Sequence, residues 1–238
     1  EQKEFLLELK KLSEEQFKGL KEELENEKIL SKEQFTQIVK LLEENIQSHK
    51  SKILKSCFRQ VDDVFEHQIS KNFLYEFDGP NTNYLQLLSD DLKNLFFKRF
   101  NECNRTNEYN SICITGGEGV GKTFNSLLIG KKLKQQGYSV YYCDDVRDAS
   151  LSEGVLSEIM DSFDEHNVFI IDNCQANEIK TEKIVERITK AEGYAGKPRF
   201  IFLTRPLDPD DIENIFSKKT PILDFKERYV NFNYLSGL

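Results

Sequence analysis

The sequence lacks several features that would place a protein in a class at once. It has no tryptophan and one methionine, and its three histidines show no paired ligand spacing. No apolar run approaches the about 18–20 residues that a membrane-spanning helix needs. The five cysteines form no C-x-x-C pair, which favours buried free thiols in a reducing compartment over zinc or disulfides. We therefore expect a cytoplasmic protein with no membrane partner.

Positive charge is also in deficit. The 238 residues contain 33 Lys and Arg against 41 Asp and Glu, a formal net charge of −8. Nucleic acids and anionic membranes both attract an excess of basic side chains, so neither is expected as a partner. The 38% hydrophobic content is enough for a sizeable core, and 31% charged residues are typical of a helix-rich chain.

The amino-terminal region, residues 1–72, has no proline and one glycine, Gly19, and is rich in Glu, Lys and Leu. Two segments, Leu12–Phe17 and Leu30–Phe35, repeat at an offset of 18 residues. Each contains a Ser-x-x-Gln pattern that fits a capping box, so each favours the start of a helix.

We predict a helix over 2–27, a break near Ser31 and a long helix over 32–70. Apolar residues recur along the second helix at three- and four-residue steps, which indicates a face that is covered. A straight helix of that length would extend beyond a compact core, so it must pack on the first helix, on another chain or on a missing domain. The prediction is self-association or partner helices through residues 1–72.

The turn-forming cluster Asp78–Asn81 marks the clearest boundary. We predict an all-α, coiled-coil-like helical region over 1–78 and a linker with a helix over 79–110. The core is predicted over 111–238. Because the chain begins with Glu1 and stops abruptly, we expect a fragment that is truncated before a lid domain.

From residue 111 onward, apolar strands alternate with helical patterns. This alternation predicts an α/β fold in which helices cover both faces of a parallel sheet. The predicted strands are 111–115, 138–143, 167–172, 199–204 and one within 226–234, and the predicted helices are 83–102, 122–136, 150–163, 176–192 and 208–217.

The most informative stretch joins the first of these strands to its helix through the pattern G-x-x-x-x-G-K-T. Its glycines let backbone N–H groups turn toward phosphate oxygens. Lys122 supplies a mobile charge for the β- and γ-phosphates, and the Thr123 hydroxyl is a hard oxygen ligand for Mg²⁺. The pattern predicts a site for ATP or ADP with Mg²⁺. The predicted nucleotide-binding residues are Gly116, Gly117, Glu118, Gly119, Val120, Gly121, Lys122, Thr123, Phe124 and Thr204.

An acid ends the strand Val168–Ile171 about 50 residues after the loop lysine. Asp172 is predicted to hold the magnesium water shell, which makes Thr123 and Asp172 the predicted metal residues. Asn173 follows, where hydrolytic ATPases commonly carry an acid. An amide cannot take a proton from water, so we expect slow turnover.

A hydroxyl and a guanidinium, Thr204 and Arg205, follow the next strand along the chain. At the carboxyl end of a neighbouring strand they are predicted to sense a γ-phosphate. The predicted catalytic set is therefore Lys122, Asp172, Asn173 and Arg205.

The order of the loop, the Asp172 strand and the Thr-Arg strand resembles the STAND branch of P-loop NTPases, signal-transduction switches related to AAA+ proteins. The resemblance covers roughly 85–238 and implies that Arg205 reads the γ-phosphate. It also implies that ATP with Mg²⁺ favours an assembly-competent state and ADP a closed one, with the amino-terminal helices transmitting the change. Asn173 departs from the more frequent acidic pair of that family.

Two other classes are disfavoured by the sequence: there is neither the Asn-Lys-x-Asp element of GTPases nor the Leu-Ser-Gly-Gly-Gln-like signature of ABC ATPases. A small-molecule kinase stays open, because Asp144, Asp145 and Arg147 follow the second strand, where such enzymes contact substrate. A helical scaffold that keeps a nucleotide as a structural ligand also stays open.

Overall fold

The chain divides into two compact units, Glu1–Ser56 and Cys57–Leu238. The first helix that the structure describes, α1, spans Lys32–Cys57. Among the described residues, no helix is both long enough and apolar enough to cross a membrane. The computed structural model describes residues 32–65, 90–106, 108–189, 194–205, 215–216 and 220–224.

The second unit is built around a six-stranded sheet. Its strands are β1 (Arg59–Gln60), β2 (Ser111–Thr115), β3 (Ser139–Cys143), β4 (Asn167–Ile171), β5 (Arg199–Thr204) and β6 (Ile222–Asp224). The order across the sheet is β1-β3-β4-β5-β2-β6, and every neighbouring pair is parallel except β1 with β3. The carboxyl ends of β2 to β6 therefore meet at one edge, where the loop after β2 and the residues after β4 and β5 come together.

Among its described residues, this unit has four longer helices, a 3-10 turn and a short helical stretch over 61–65. Apart from β6, the described strands and helices of the core begin and end within three residues of their predicted bounds. The Ser152 side chain caps the helix predicted from 150, so that helix begins at Glu153. The helix predicted to end at 102 continues to Thr106. The elements are α2 (Asp90–Thr106), α3 (Lys122–Gln135), α4 (Glu153–Ser162), the 3-10 turn (Cys174–Ala176) and α5 (Glu178–Thr189).

Alternate strand residues face opposite sides of the sheet. On one side, side chains of β2, β4 and β5 pack with α2 and α3 in a continuous core that includes Phe96, Leu127, Leu128, Ile112, Ile114, Ile170, Ile201 and Leu203. On the other side, Phe169, Phe200 and Phe202 of adjacent strands stack with centroid separations of 5.6 and 6.4 Å. Phe163, at the end of α4, meets Phe169 edge-on at 5.3 Å. Both faces are therefore covered by apolar packing, as the alternation of strands and helices predicts.

The unbroken helix predicted over 32–70 is wrong, because α1 ends at Cys57. Phe58 is buried, its ring lying edge-on to Phe169 at 5.0 Å, and β1 adds its two residues to the edge of the sheet. Burial of an aromatic ring together with strand pairing outweighs the helical periodicity. The predictions for 2–27, for the break near Ser31, for the start of the helix at 83, and for 208–217 and 226–234 lie outside the described residues.

Candidate functional site

The loop between β2 and α3 has the backbone shape of a phosphate-binding loop. Gly119 and Gly121 take φ values of 76° and 86°, the left-handed region that glycine adopts without strain. Gly121 is the residue before α3, and among the described residues no side chain caps that helix and no acid occupies its first turn. The N–H groups of the first turn, at the positive end of the helix dipole, thus suit the binding of an anion.

The Lys122 side chain folds back over this loop. Its Nζ donates to the carbonyl oxygens of Gly116 and Gly117, each at 2.7 Å. An ammonium carries three N–H donors, so a third donor is available for a phosphate oxygen. Partial burial lowers the pKa of Lys122, while the nearby Asp172 carboxylate opposes that change.

The Asp172 carboxylate connects α3, which follows the loop, with the strand β3 through hydrogen bonds. Its Oδ2 accepts from Thr123 Oγ1 at 2.6 Å and from Tyr142 OH at 2.7 Å, and its Oδ1 accepts from the Asn173 N–H at 2.6 Å. The residue is only 5% exposed. Thr123 and Asp172, the predicted metal residues, are therefore in direct contact.

This donor set fits Mg²⁺. A hydroxyl and a single carboxylate are hard oxygen ligands, and Mg²⁺ usually keeps several waters and binds substrate phosphates besides one or two carboxylates. The described residues contain no group of three or more His, Cys, Asp or Glu that could form a complete protein cage for a metal. The pair suits an ion that arrives with a polyphosphate.

Tyr142 was missed by the sequence reasoning. Tyr142 pairs with Ile170 in the parallel register of β3 and β4, and Asp172 lies two residues further on, on the same side. The alternation of residues along β3 could have selected Tyr142 over Tyr141, but no local motif marks it.

The side chains of two predicted nucleotide-binding residues pack in the core or against it. Val120 is 6% exposed, and the Phe124 ring packs against Phe65 with a centroid separation of 6.4 Å. The Val120 side chain is therefore closed to a ligand, whereas the Phe124 ring is only partly buried.

Two buried hydroxyls lie side by side at the carboxyl ends of β2 and β5. Thr115 and Thr204 are paired in register and are 3% and 1% exposed. Neither Oγ1 has a hydrogen-bond partner among the described residues. Because a buried hydroxyl without a partner is costly, we interpret this pair as a place for a water or ligand oxygen.

Arg205 lies beside the phosphate-binding loop. Its NH1 is 3.1 Å from Glu118 Oε2, and both side chains are well exposed. An exposed ion pair of this kind contributes little energy, so a more highly charged anion can compete for the guanidinium.

The Asn173 side chain is held at the neighbouring strand. The residue has φ of 54°, a conformation that asparagine tolerates better than most residues, and its Nδ2 donates to the Asp144 carbonyl at 2.8 Å. Its amide is a hydrogen-bonding group and not a base.

The residues considered for a kinase substrate site, Asp144, Asp145 and Arg147, form contacts with other side chains of the protein. Arg147 Nε donates to both carboxylate oxygens of Asp145, at 2.9 and 3.0 Å, and this bonding lowers the pKa of Asp145. Asp144 forms an ion pair with Arg59 of β1. The arrangement resembles a self-paired surface loop more than an open substrate pocket.

No protein-family model and no curated protein matches the chain. Among solved structures it is similar to PCH-2 of C. elegans, with 16% identity over 62% of this chain and 47% of that one and a TM-score of 0.38. It is also similar to a DNA replication initiation factor, with 18% identity over 63% and 50% of the two chains and a TM-score of 0.38. The chain spans about half the length of each. Similarity at this level carries no argument by itself; the mostly parallel sheet and the geometry of the loop are consistent with a P-loop NTPase core.

Proposed function

We propose that the chain is an ATP- and Mg²⁺-binding switch of the STAND type, with slow hydrolysis and with assembly or signalling through its amino-terminal helices. The observation that carries the proposal is the 2.6 Å bond between Thr123 and Asp172, one residue from Lys122. This junction between strand and helix brings together the chemical groups that a magnesium polyphosphate needs. Backbone N–H donors and an ammonium suit the phosphates, and a hydroxyl and a carboxylate suit the metal.

Mg²⁺ bound at Thr123 and Asp172 would neutralise charge on the phosphate oxygens. The Lys122 ammonium, with two of its N–H groups on loop carbonyls, would direct the third to the β- and γ-phosphates. Tyr142 and the Asn173 N–H keep the Asp172 carboxylate in one orientation. These groups bind and orient the phosphates and do not themselves break a bond.

Slow hydrolysis is proposed because no general base accompanies Asp172 in the next position. The Asn173 amide can orient a water but cannot accept its proton. A long-lived triphosphate state suits a switch, which needs time to assemble.

Arg205 supplies the proposed difference between ATP and ADP. In the structure its partner is Glu118 of the loop. A γ-phosphate, with more charge than the single Glu118 carboxylate, would draw the guanidinium away, whereas ADP would leave the pair intact. Only such a differential contact can shift an equilibrium between two states.

The test of nucleotide binding is a thermal unfolding experiment with and without Mg-ATP. Ligand at 100-fold over Kd should stabilise the chain by about 2.7 kcal/mol, a rise in Tm of roughly 5–10 °C. Lys122→Ala should abolish the rise, whereas Lys183→Ala, at an exposed position of α5, should keep it. An unchanged Tm for the unmutated chain at millimolar Mg-ATP contradicts the proposal.

The small-molecule kinase and the scaffold with a structural nucleotide make different predictions. A kinase should consume ATP faster when a suitable acceptor is added, a scaffold should not consume it at all, and a switch should turn over slowly whatever the acceptor. Light scattering of the full chain with Mg-ATP and with Mg-ADP then tests assembly. Equal masses in the two states would contradict the switch.

A further inference from the structure

A run of polar contacts crosses the edge of the sheet at which the phosphate-binding loop lies. The Asn173 Nδ2 donates to the Asp144 carbonyl at 2.8 Å, and the Gln175 Nε2 donates to Asn173 Oδ1 at 3.3 Å. The Arg205 N–H donates to Gln175 Oε1 at 3.2 Å, and the Arg205 guanidinium reaches Glu118 at 3.1 Å. The run follows the strand order β3-β4-β5-β2.

The groups at the two ends of this run determine which way the Asn173 and Gln175 amides are oriented. At one end is the Asp144 carbonyl, which can only accept, and at the other is the Arg205 backbone N–H, which can only donate. The Asn173 amide must therefore present its oxygen to Gln175, and the Gln175 amide must present its oxygen to Arg205. A reversed amide at either position would place two donors or two acceptors together.

Gln175 lies on a firmly held segment. It is the middle residue of the 3-10 turn, where the Ala176 N–H donates to the Asn173 carbonyl at 2.9 Å. The Thr181 hydroxyl donates to the Cys174 carbonyl at 2.7 Å and ties the turn to α5. The Gln175 amide thus projects from an anchored backbone. Its nitrogen contacts Asn173, which follows β4, and its oxygen contacts Arg205, which follows β5.

We infer that Gln175 is a positioning residue for the response to the γ-phosphate: it fixes the backbone at Arg205 and the orientation of the Asn173 amide. The inference rests on the proposed function. Gln175 touches neither phosphate nor metal in this scheme. It acts by holding the Arg205 backbone, because the backbone position determines where the Arg205 guanidinium can lie relative to the loop.

The experiment measures the affinities of Mg-ATP and Mg-ADP by calorimetric titration, and its readout is the ratio of the two Kd values. Gln175→Leu removes both hydrogen bonds and should lower the preference for ATP by about 3- to 10-fold, the effect of one or two ordinary hydrogen bonds. Gln175→Glu keeps an acceptor for the Arg205 N–H but places two acceptors together at Asn173 Oδ1, so it should recover only the part of the preference that depends on the Arg205 backbone. Gln135→Leu, at an exposed position at the end of α3, is the matched control and should change nothing.

Coupling to Arg205 separates positioning from a merely structural role. In an Arg205→Ala background, Gln175→Leu should have no further effect on the ratio. Gln175→Met serves the same purpose as the leucine variant if that variant does not fold. An unchanged ratio in a folded variant, or an effect that simply adds to that of Arg205→Ala, overturns the inference.

The two possible failures can be told apart. If the unmutated chain binds neither nucleotide, the proposed function fails and the inference fails with it. If Arg205→Ala lowers the preference for ATP and Gln175→Leu does not, the inference alone fails.

Discussion

Tyr142 and Asp172 are joined by a hydrogen bond of 2.7 Å, in which the phenol donates to Oδ2 of the buried carboxylate. The same oxygen accepts from the Thr123 hydroxyl. One carboxylate oxygen is therefore held from β3 and from the phosphate-binding loop at once. This fixes the carboxylate at the place where Mg²⁺ is proposed to bind.

Tyr142→Phe should therefore weaken Mg-nucleotide binding without abolishing it. Loss of one hydrogen bond to a charged group costs about 1.5–3 kcal/mol at most, which corresponds to roughly 10- to 100-fold in affinity if all of it is felt in binding. The measurement is a titration with Mg-ATP at several Mg²⁺ concentrations, and the loss should be larger at low Mg²⁺.

The matched control is Tyr141→Phe. Tyr141 is also buried but lies on the opposite face of β3, stacked on Phe169 at 5.2 Å. Its variant should bind Mg-ATP as the unmutated chain does. Equal affinities for the two variants would show that the Tyr142 hydroxyl does not support the site.

The sequence was most informative where local pattern and chemistry agree. The G-x-x-x-x-G-K-T pattern needs only its own residues to take its shape, and the buried strands of a parallel sheet are short, continuous apolar runs. Hence β2 and β5 have their predicted bounds. The strand order, which places β5 between β2 and the strand before Asp172, has no such local signal.

What could not be predicted depends on residues far apart in the chain. The end of α1 is decided by Phe58 against Phe169, although Val61 and Val64 continue the helical spacing and are themselves buried in the core. The strand β6 has three residues, too few to give a pattern, and it exists through pairing with β2.

Gly130 of α3 lies close to Val61 and to two residues of the sheet, Val140 and Ile170. A Cβ placed there would lie 2.8 Å from Val61 Cγ2 and 3.3 Å from Val140 Cγ1. Gly130→Ala gains about 1 kcal/mol of helix propensity but overpacks the core, which costs about 1–3 kcal/mol. We expect a net loss of roughly 1 kcal/mol in the free energy of unfolding, a fall in Tm of about 2–4 °C.

Gly154→Ala provides the comparison for this prediction. Gly154 lies in the first turn of α4, and a Cβ there meets only the Ser152 hydroxyl, at an ordinary 3.7 Å. Its Tm should be unchanged or slightly higher. A rise in Tm for Gly130→Ala as well would mean that α3 does not pack this closely on Val61 and Val140.

Asn173→Glu tests the proposed cause of slow hydrolysis. If a water-orienting acid is what the site lacks, phosphate release should increase. The change also removes the bond to the Asp144 carbonyl and places a less tolerant residue at φ 54°, so stability should fall by about 1–2 kcal/mol.

Asn173→Asp separates the two effects, since aspartate tolerates that conformation. Phosphate release is measured with a coupled assay, and Lys122→Ala in the same background must remove it. Unchanged release in both acidic variants would place the deficit elsewhere, in a lid or in an oligomeric partner.

The buried thiols predict how stability depends on pH. Burial raises the pKa of Cys103 from 9.0 to about 11 and that of Cys143 to about 12. Because the folded state holds these protons more tightly, the stabilisation is complete below pH 9 and is lost as the pH rises from there toward the folded pKa. For Cys103 the loss should reach about 1 kcal/mol by pH 10.

Chemical denaturation between pH 8 and pH 10.5 measures this slope. Burial raises the pKa of all four buried thiols, so Cys103→Ala should reduce the slope by the share of one of them. Thiol labelling at pH 8 gives an independent check: Cys57 is half-buried and should react first, and the four buried cysteines only on unfolding. Cys57→Ser should remove the rapid phase. Rapid reaction of more than one thiol in the folded chain, or a slope that Cys103→Ala leaves intact, would contradict the burial of these groups as the cause.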